Sequence, residues 1–210
     1  MRHLLLLVTL CASIYAQAAH FNKFGVKDGL TSPAVLNITQ DSLGRIWLGT
    51  AEGISIYDGT KIISYKSTGA DGKSLFKGSL VGRIVCNAKG DVFFRTSEAL
   101  VKYDIHKETF QTILDRGSMP LYSHRDTIWT VYGHYLHRWS EAEQLFVPHC
   151  KLSVETALDL AIDDKGRKWF SIPSGIIYTD DDVHFTRVVD GKEMRRLLNI
   201  SQCFKYKCKQ

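Results

Sequence analysis

The stretch QDSLGRIWLGTAEGISIYDG, residues 40–59, packs four glycines, two aspartates, a tryptophan and a tyrosine into twenty residues. Such a run reads as a glycine-rich ligand loop or as a unit of architecture, and repetition decides between the two. GRIWLGT at 44–50 returns as GDVFFRT at 90–96, and the flanks follow: VLNITQDSLG at 35–44 aligns with VGRIVCNAKG at 81–90, and AEGISIYD with SEALVKYD. A third copy is DTIWTVYGHYLHRW at 126–139. A fourth, AIDDKGRKWFSIPSGIIY at 161–178, is one residue short between its glycine and its tyrosine. The aromatic anchors Trp47, Phe93, Trp129 and Trp169 are spaced 46, 36 and 40 residues apart.

A unit near 40 residues is either a helix pair or a four-stranded propeller blade. RIWLGT and GISIYDG are short, rich in β-branched and aromatic residues, and bounded by Gly, Asp and Asn, which predicts strands. SVETALDLAID at 153–163 comes nearest to a helix, but its alternating Leu158, Leu160 and Ile162 align with the first strand of copy one and predict a strand. DSLG, NAKG and DDKG occupy one turn in three copies: Asp or Asn braces the turn backbone and Gly takes the positive φ. The second strand is apolar on both faces (Ile46-Trp47-Leu48, Val92-Phe93-Phe94), so both faces are covered, as in radially stacked blades.

The expectation is therefore all-β: a β-propeller of four-stranded antiparallel blades, about four of them, forming an incomplete ring. Blades are expected near 28–67, 76–114, 119–149 and 155–190 within a propeller segment of 19–194. The repeat motif consists of Asp41, Gly44, Trp47, Gly49, Gly53 and Tyr57 in copy one, and Gly90, Phe93 and Tyr103 in copy two. Trp129 and Trp139 represent it in copy three, and Gly166, Trp169, Gly175 and Tyr178 in copy four.

DGLTSPAVLNITQDSLGRIWLGTAEGISIYDGTKIISY, residues 28–65, resembles the two-component regulator propeller repeat, with its Gly-Leu start, QD..G.IW.GT, G...YDG and final aromatic. The later copies match less well: copy two has Phe93 and Arg95 for the Trp and a glycine, and copy three lacks the glycine turn. The resemblance implies the periplasmic sensor region of a hybrid two-component histidine kinase of gut-type bacteria, built of seven-bladed propellers and responding to oligosaccharides. It also likens HFNKFGVKDGL at 20–30, through Phe21 and Phe24, to the closing outer strand of a last blade. This chain carries no kinase core, so the resemblance implies the first part of a sensor and not an enzyme.

The chain begins with Arg2, an apolar run from Leu4 to Ile14, and small residues at Ala16 and Ala18. These mark a secretory signal peptide over 1–18 and predict a periplasmic or secreted protein. The run is shorter than the ~20 residues needed to span a bilayer. The net charge of +5 is a terminal effect, since 21 Lys+Arg face 22 Asp+Glu between residues 20 and 194. The body has no basic excess for nucleic acid. The basic tail over 195–210 reads as a solvated end or as the mark of a truncated reading frame.

Few residues suggest chemistry. Cys86, Cys150, Cys203 and Cys208 lack metal-site spacing and read as free thiols, their disulfide state open. His134 and His137, three apart on a strand, would face opposite ways, and Asp180-Asp181-Asp182 lacks the alternation of a calcium loop. No metal or cofactor is expected. Ser74-Leu75-Phe76-Lys77 has Ser-x-x-Lys spacing without companion motifs, and the sequons at Asn37 and Asn199 carry little weight in a bacterial chain.

Three readings of function stand. An exported sensing module would bind an oligosaccharide at a propeller mouth. A propeller glycan hydrolase or lyase would show acidic and basic residues clustered there, and a non-functional fragment would do neither. Self-association through open blade faces is a further expectation. The repeat specifies scaffold, so it names no ligand-binding residue.

Overall fold

The computed structural model describes residues 22–68, 72–117, 119–152 and 156–190. The expected leader and basic tail lie outside the described residues, as do Phe21, Asn199, Cys203 and Cys208. The described chain forms four antiparallel four-stranded sheets, each made of strands consecutive in sequence. The first holds β1 (Val35–Gln40), β2 (Ile46–Thr50), β3 (Gly53–Tyr57) and β4 (Ile62–Lys66). The second holds β5 (Ile84–Cys86), β6 (Val92–Arg95), β7 (Leu100–Asp104) and β8 (Thr109–Leu114). The third holds β9 (Leu121–His124), β10 (Thr127–Tyr132), β11 (Tyr135–Ser140) and β12 (Leu145–Lys151). The fourth holds β13 (Asp159–Ile162), β14 (Lys168–Ile172), β15 (Gly175–Thr179) and β16 (Thr186–Asp190). The innermost strands β1, β5, β9 and β13 neighbour one another in that order. The result is an all-β propeller arc whose ring is not closed.

Two sequence readings are corrected. Leu158 lies in the link before β13 and is 56% exposed, whereas Leu160 and Ile162 are buried. Leu158 N still donates to Ser171 O of β14 at 2.7 Å, but Ala157 and not Leu158 is the buried residue there, so the alternation breaks just before β13. Phe24 is in no strand: the chain turns at Gly25 into a short 3-10 segment, Val26–Asp28, and the Phe24 ring rests on Tyr57 at 5.0 Å.

Each joint between successive blades has its own hydrophobic core. Trp47, Ile54 and Ile56 of blade one meet Ile84, Phe94 and Tyr103 of blade two. Phe93 and Leu100 meet Leu121, Ile128 and Trp139, and Val131 and Leu136 meet Leu160, Phe170 and Ile177. Val92, Phe93 and Phe94 are all fully buried because blade two has a neighbour on each side. In blade one, Trp47 is fully buried while Ile46 and Leu48, on the opposite face, are half-buried.

The joints depend on close approach of the links. Val81 N donates to Thr50 O at 2.8 Å where the link from blade one to blade two crosses β2. A Cβ on Gly49 would stand 2.8 Å from Val81 O and 3.0 Å from Gly82 O. These neighbours are backbone and cannot swing aside, so Gly49→Ala is expected to destabilise the chain by about 1–3 kcal/mol. Urea unfolding followed by circular dichroism checks this, and an unchanged midpoint would refute the close approach.

Candidate functional site

The two ends of the arc differ chemically. At one end lie the turns between first and second strands. Asp41 Oδ1 accepts from Leu43 N and Arg45 N, and Oδ2 accepts from Arg45 Nε and Trp47 Nε1, both at 2.7 Å. Gly44, at φ +81°, closes the turn through its N–H on Asp41 O. Burial pushes the Asp41 carboxyl up, but the indole, the guanidinium and the backbone donors outweigh it and hold it below its ordinary value. Asp163 repeats the arrangement with Lys165 N, Arg167 N and Trp169 Nε1. In blade two, Asn87 replaces the aspartate where Phe93 replaces the tryptophan, so the lost carboxylate coincides with the lost indole N–H. These turns have their hydrogen-bonding groups directed into the fold, which makes them scaffold.

The joints use the motif aromatics in a relay. The Trp47 ring meets Tyr103 edge-on at 5.0 Å, and Phe93 meets Trp139 at 4.8 Å. At the next joint the relay breaks. Tyr103 lies opposite Val92 and Tyr57 opposite Ile46, but Tyr178 lies opposite Trp169 itself. The missing residue shifts the tyrosine to the other face, as a one-residue slip must. Tyr178 therefore packs on Trp169 at 5.1 Å, with the Arg167 guanidinium 4.3 Å from the tyrosine ring. Trp129 meets His149 at 4.9 Å and the Lys168 ammonium at 5.8 Å instead, and its buried Nε1 finds no partner among the described residues. Asp182 joins this group, pairing with Lys168 at 2.8 Å and His149 at 2.8 Å.

At the opposite end the links between blades converge with the hairpins that join second to third strands. A cavity of about 540 Å³ opens there, within the ~300–1,000 Å³ range of ligand clefts. Its walls come from the link before β9 (Arg116, Gly117, Met119, Pro120), the β10–β11 hairpin (Val131 to His134) and the link before β13 (Thr156, Ala157). The first wall is pinned: Arg95 Nη1 donates to Met119 O at 2.9 Å, and Gly117 lies so close to Ser97 that no Cβ would fit. Tyr132 stacks flat on His137 at 3.6 Å, whose Nδ1 lies 3.0 Å from Tyr135 O; burial holds this imidazole below its ordinary pKa, so it is a neutral prop. Arg83, just before β5, pairs through Nη2 with Asp159 of β13 at 3.0 Å. Burial first, then the neighbouring Arg83, lowers the pKa of Arg95.

The sequence candidates are scattered over this frame. His134 lies in the hairpin at the cavity and His137 in the strand behind it. Among the described residues no three metal-type side chains gather. Burial pushes the Cys86 thiol up to about 12 and that of Cys150 to about 11, so both are inert. Asn37 Oδ1 accepts from Ile84 N at 2.9 Å and joins blades one and two. Sequence reasoning missed every cavity-lining residue except His134. Arg116 and its neighbours lie in a link between expected blades, Thr156 lies in a stretch read as strand, and only the stacking of the blades brings them together.

Comparison with known proteins places this arc among sequences and folds of known kind. No family model matches the chain. Over 68 residues, 31% of the chain, it is 34% identical to histidine kinase P4 of Formosa agariphila, of which that stretch is 5%. The fold is similar to the extracellular domain of the hybrid two-component system BT3049 of B. thetaiotaomicron. The TM-score is 0.66 at 20% identity, over 80% of this chain and 26% of that one. It is similar also to virginiamycin B lyase of Staphylococcus aureus, with a TM-score of 0.54 at 15% identity, over 73% of this chain and 55% of the lyase. The chain thus spans well under two thirds of each of these proteins. Its likeness is to a histidine kinase in sequence, over that short stretch, and to an extracellular domain of a two-component system and a lyase in fold. Among the described residues no helix is long and apolar enough to cross a membrane.

Proposed function

We propose that this chain is an exported, non-catalytic sensing module of a two-component sensor, binding an oligosaccharide in the rim cavity. One observation carries the reading: three separate segments form a single cleft, with aromatic, hydroxyl and cationic side chains at one mouth. Tyr132 offers a ring for a sugar face, while Arg116, His134 and Thr156 offer polar contacts, the mixture by which such clefts orient ligands. Likeness to the extracellular domain of a hybrid two-component system supports the sensor reading and the export it requires. The repeat motif residues serve it by holding the blades in register.

Calorimetry of the purified chain against an oligosaccharide panel tests this, run beside a reducing-end assay. Saturable binding without turnover is expected. Thr156 is exposed, so Thr156→Trp should fill the cleft and weaken binding at least about tenfold while changing stability by less than about 0.5 kcal/mol. Turnover would overturn the non-catalytic reading, and absence of binding across the panel would overturn the site.

A further inference from the structure

The described arc ends in two open blade faces, and the joints inside it show what such faces fit. Between blades one and two, Trp47, Ile54 and Ile56 of the leading blade close on Ile84, Val92, Phe94 and Tyr103 of the following one, and each of these side chains is buried. Strand register places equivalents of both sets on the outer blades. In blade four Trp169 lies opposite Tyr178 and Ser171 opposite Ile176, as Trp47 lies opposite Ile56 and Gly49 opposite Ile54. Trp169, Ile176 and Tyr178 thus stand where a leading face stands, yet all three are only half-buried, and Ala161, paired with Trp169, is exposed. A groove of about 280 Å³ runs between Ala161, Trp169, Ser171 and Ile176. In blade one Ile38 lies opposite Leu48 and Ile46 opposite Tyr57, as Ile84 lies opposite Phe94 and Val92 opposite Tyr103. Here Ile38 is 64% exposed where Ile84 is 3% exposed, and Ile46, Leu48 and Tyr57 are half-buried.

Apolar side chains gathered on one open face mark an interaction site. This chain carries both halves of the joint, a leading face on blade four and a following face on blade one, so the partner with the matching surface is a second copy. Two leading faces would set Trp169 against Trp169, with no counterpart of Tyr103 between them. We infer that blade four of one copy packs head to tail on blade one of a second, with Trp169 set against Tyr57 as Trp47 is set against Tyr103. The Phe24 ring, 43% exposed and 5.0 Å from Tyr57, widens the aromatic patch there. Four blades from each copy make eight, inside the range of about four to eight that propeller rings use. The two copies then make the joint twice and close a ring, and head-to-tail contacts that close do not grow into filaments.

Sedimentation velocity of the full chain between about 1 µM and about 100 µM tests this, and a shift from the mass of one copy to that of two is expected. Ile38 and Ala161 are exposed, so each can be charged without disturbing the blade that holds it. Ile38→Glu and Ala161→Arg should each weaken association at least about tenfold, by placing a charge in an apolar joint, and neither should move the thermal midpoint of the dilute single copy. Mixing the two variants should restore a two-copy species, because blade four of the first and blade one of the second are unaltered. A chain that keeps the mass of one copy throughout would overturn the inference, as would a dimer that either variant leaves intact. Loss in both variants without recovery on mixing would overturn the head-to-tail arrangement, and growth beyond two copies would overturn the closed ring.

Discussion

Replacing Trp47 with alanine is expected to lower the unfolding free energy by about 3–5 kcal/mol, the cost of emptying a packed aromatic site. The side chain is fully buried, meets Tyr103 at 5.0 Å, and bonds Asp41 at 2.7 Å. Its loss opens the joint between blades one and two, the joint in which Ile54, Ile84 and Phe94 also pack. Trp169 occupies the same repeat position but is only half-buried, with Tyr178 and Arg167 laid on it. Trp169→Ala should therefore cost less, about 1–2 kcal/mol, because less apolar area leaves water on folding. Urea unfolding of both variants decides the matter. Equal losses would mean that the repeat position, and not the neighbouring blade, sets the energy.

The second large effect concerns Asp41. Asp41→Ala should cost about 3 kcal/mol, since it leaves the buried Trp47 indole N–H and two turn amides without their acceptor. Asp41→Asn should cost less, and least of all in a Trp47→Phe background, which recreates the Asn87 and Phe93 combination of blade two. Additive losses in this double-mutant cycle would refute the coupling. The sign of the pH dependence follows from the same bonds. The folded carboxyl lies below its ordinary value of 3.8, so its contribution is fully present above that pH and fades as pH falls through the lower folded value. The gap between wild type and Asp41→Asn should be constant from neutral pH down to about 5 and shrink in stronger acid. A gap that widened in acid would mean that the carboxyl is held protonated instead.

Much of this was legible in the sequence for a simple reason. Turns and short strands are local, so DSLG and DDKG announce the Asp41 and Asp163 turns, and RIWLGT announces β2. The paired exchange of Asp–Trp for Asn–Phe was also visible, though its cause became plain only when the indole was seen on the carboxylate. The missing residue in copy four could be counted, but not its result. That a Tyr178 slip turns the ring onto Trp169, and leaves Trp129 to His149, Lys168 and Asp182, depends on strand register across two blades. Leu158 was misjudged because sequence alternation does not show that Ala157 takes the buried place before β13.

The sequence by itself determined the blade: its four strands, its braced turns and the aromatic that packs one unit on the next, because these are encoded within some 40 residues and repeated. Only the tertiary structure decided the site. Arg116, Tyr132 and Thr156 come from three separate segments, and none of them is a position of the repeat motif. They share one mouth because the links between blades must all cross at the same end of the arc, opposite the turns that carry the motif.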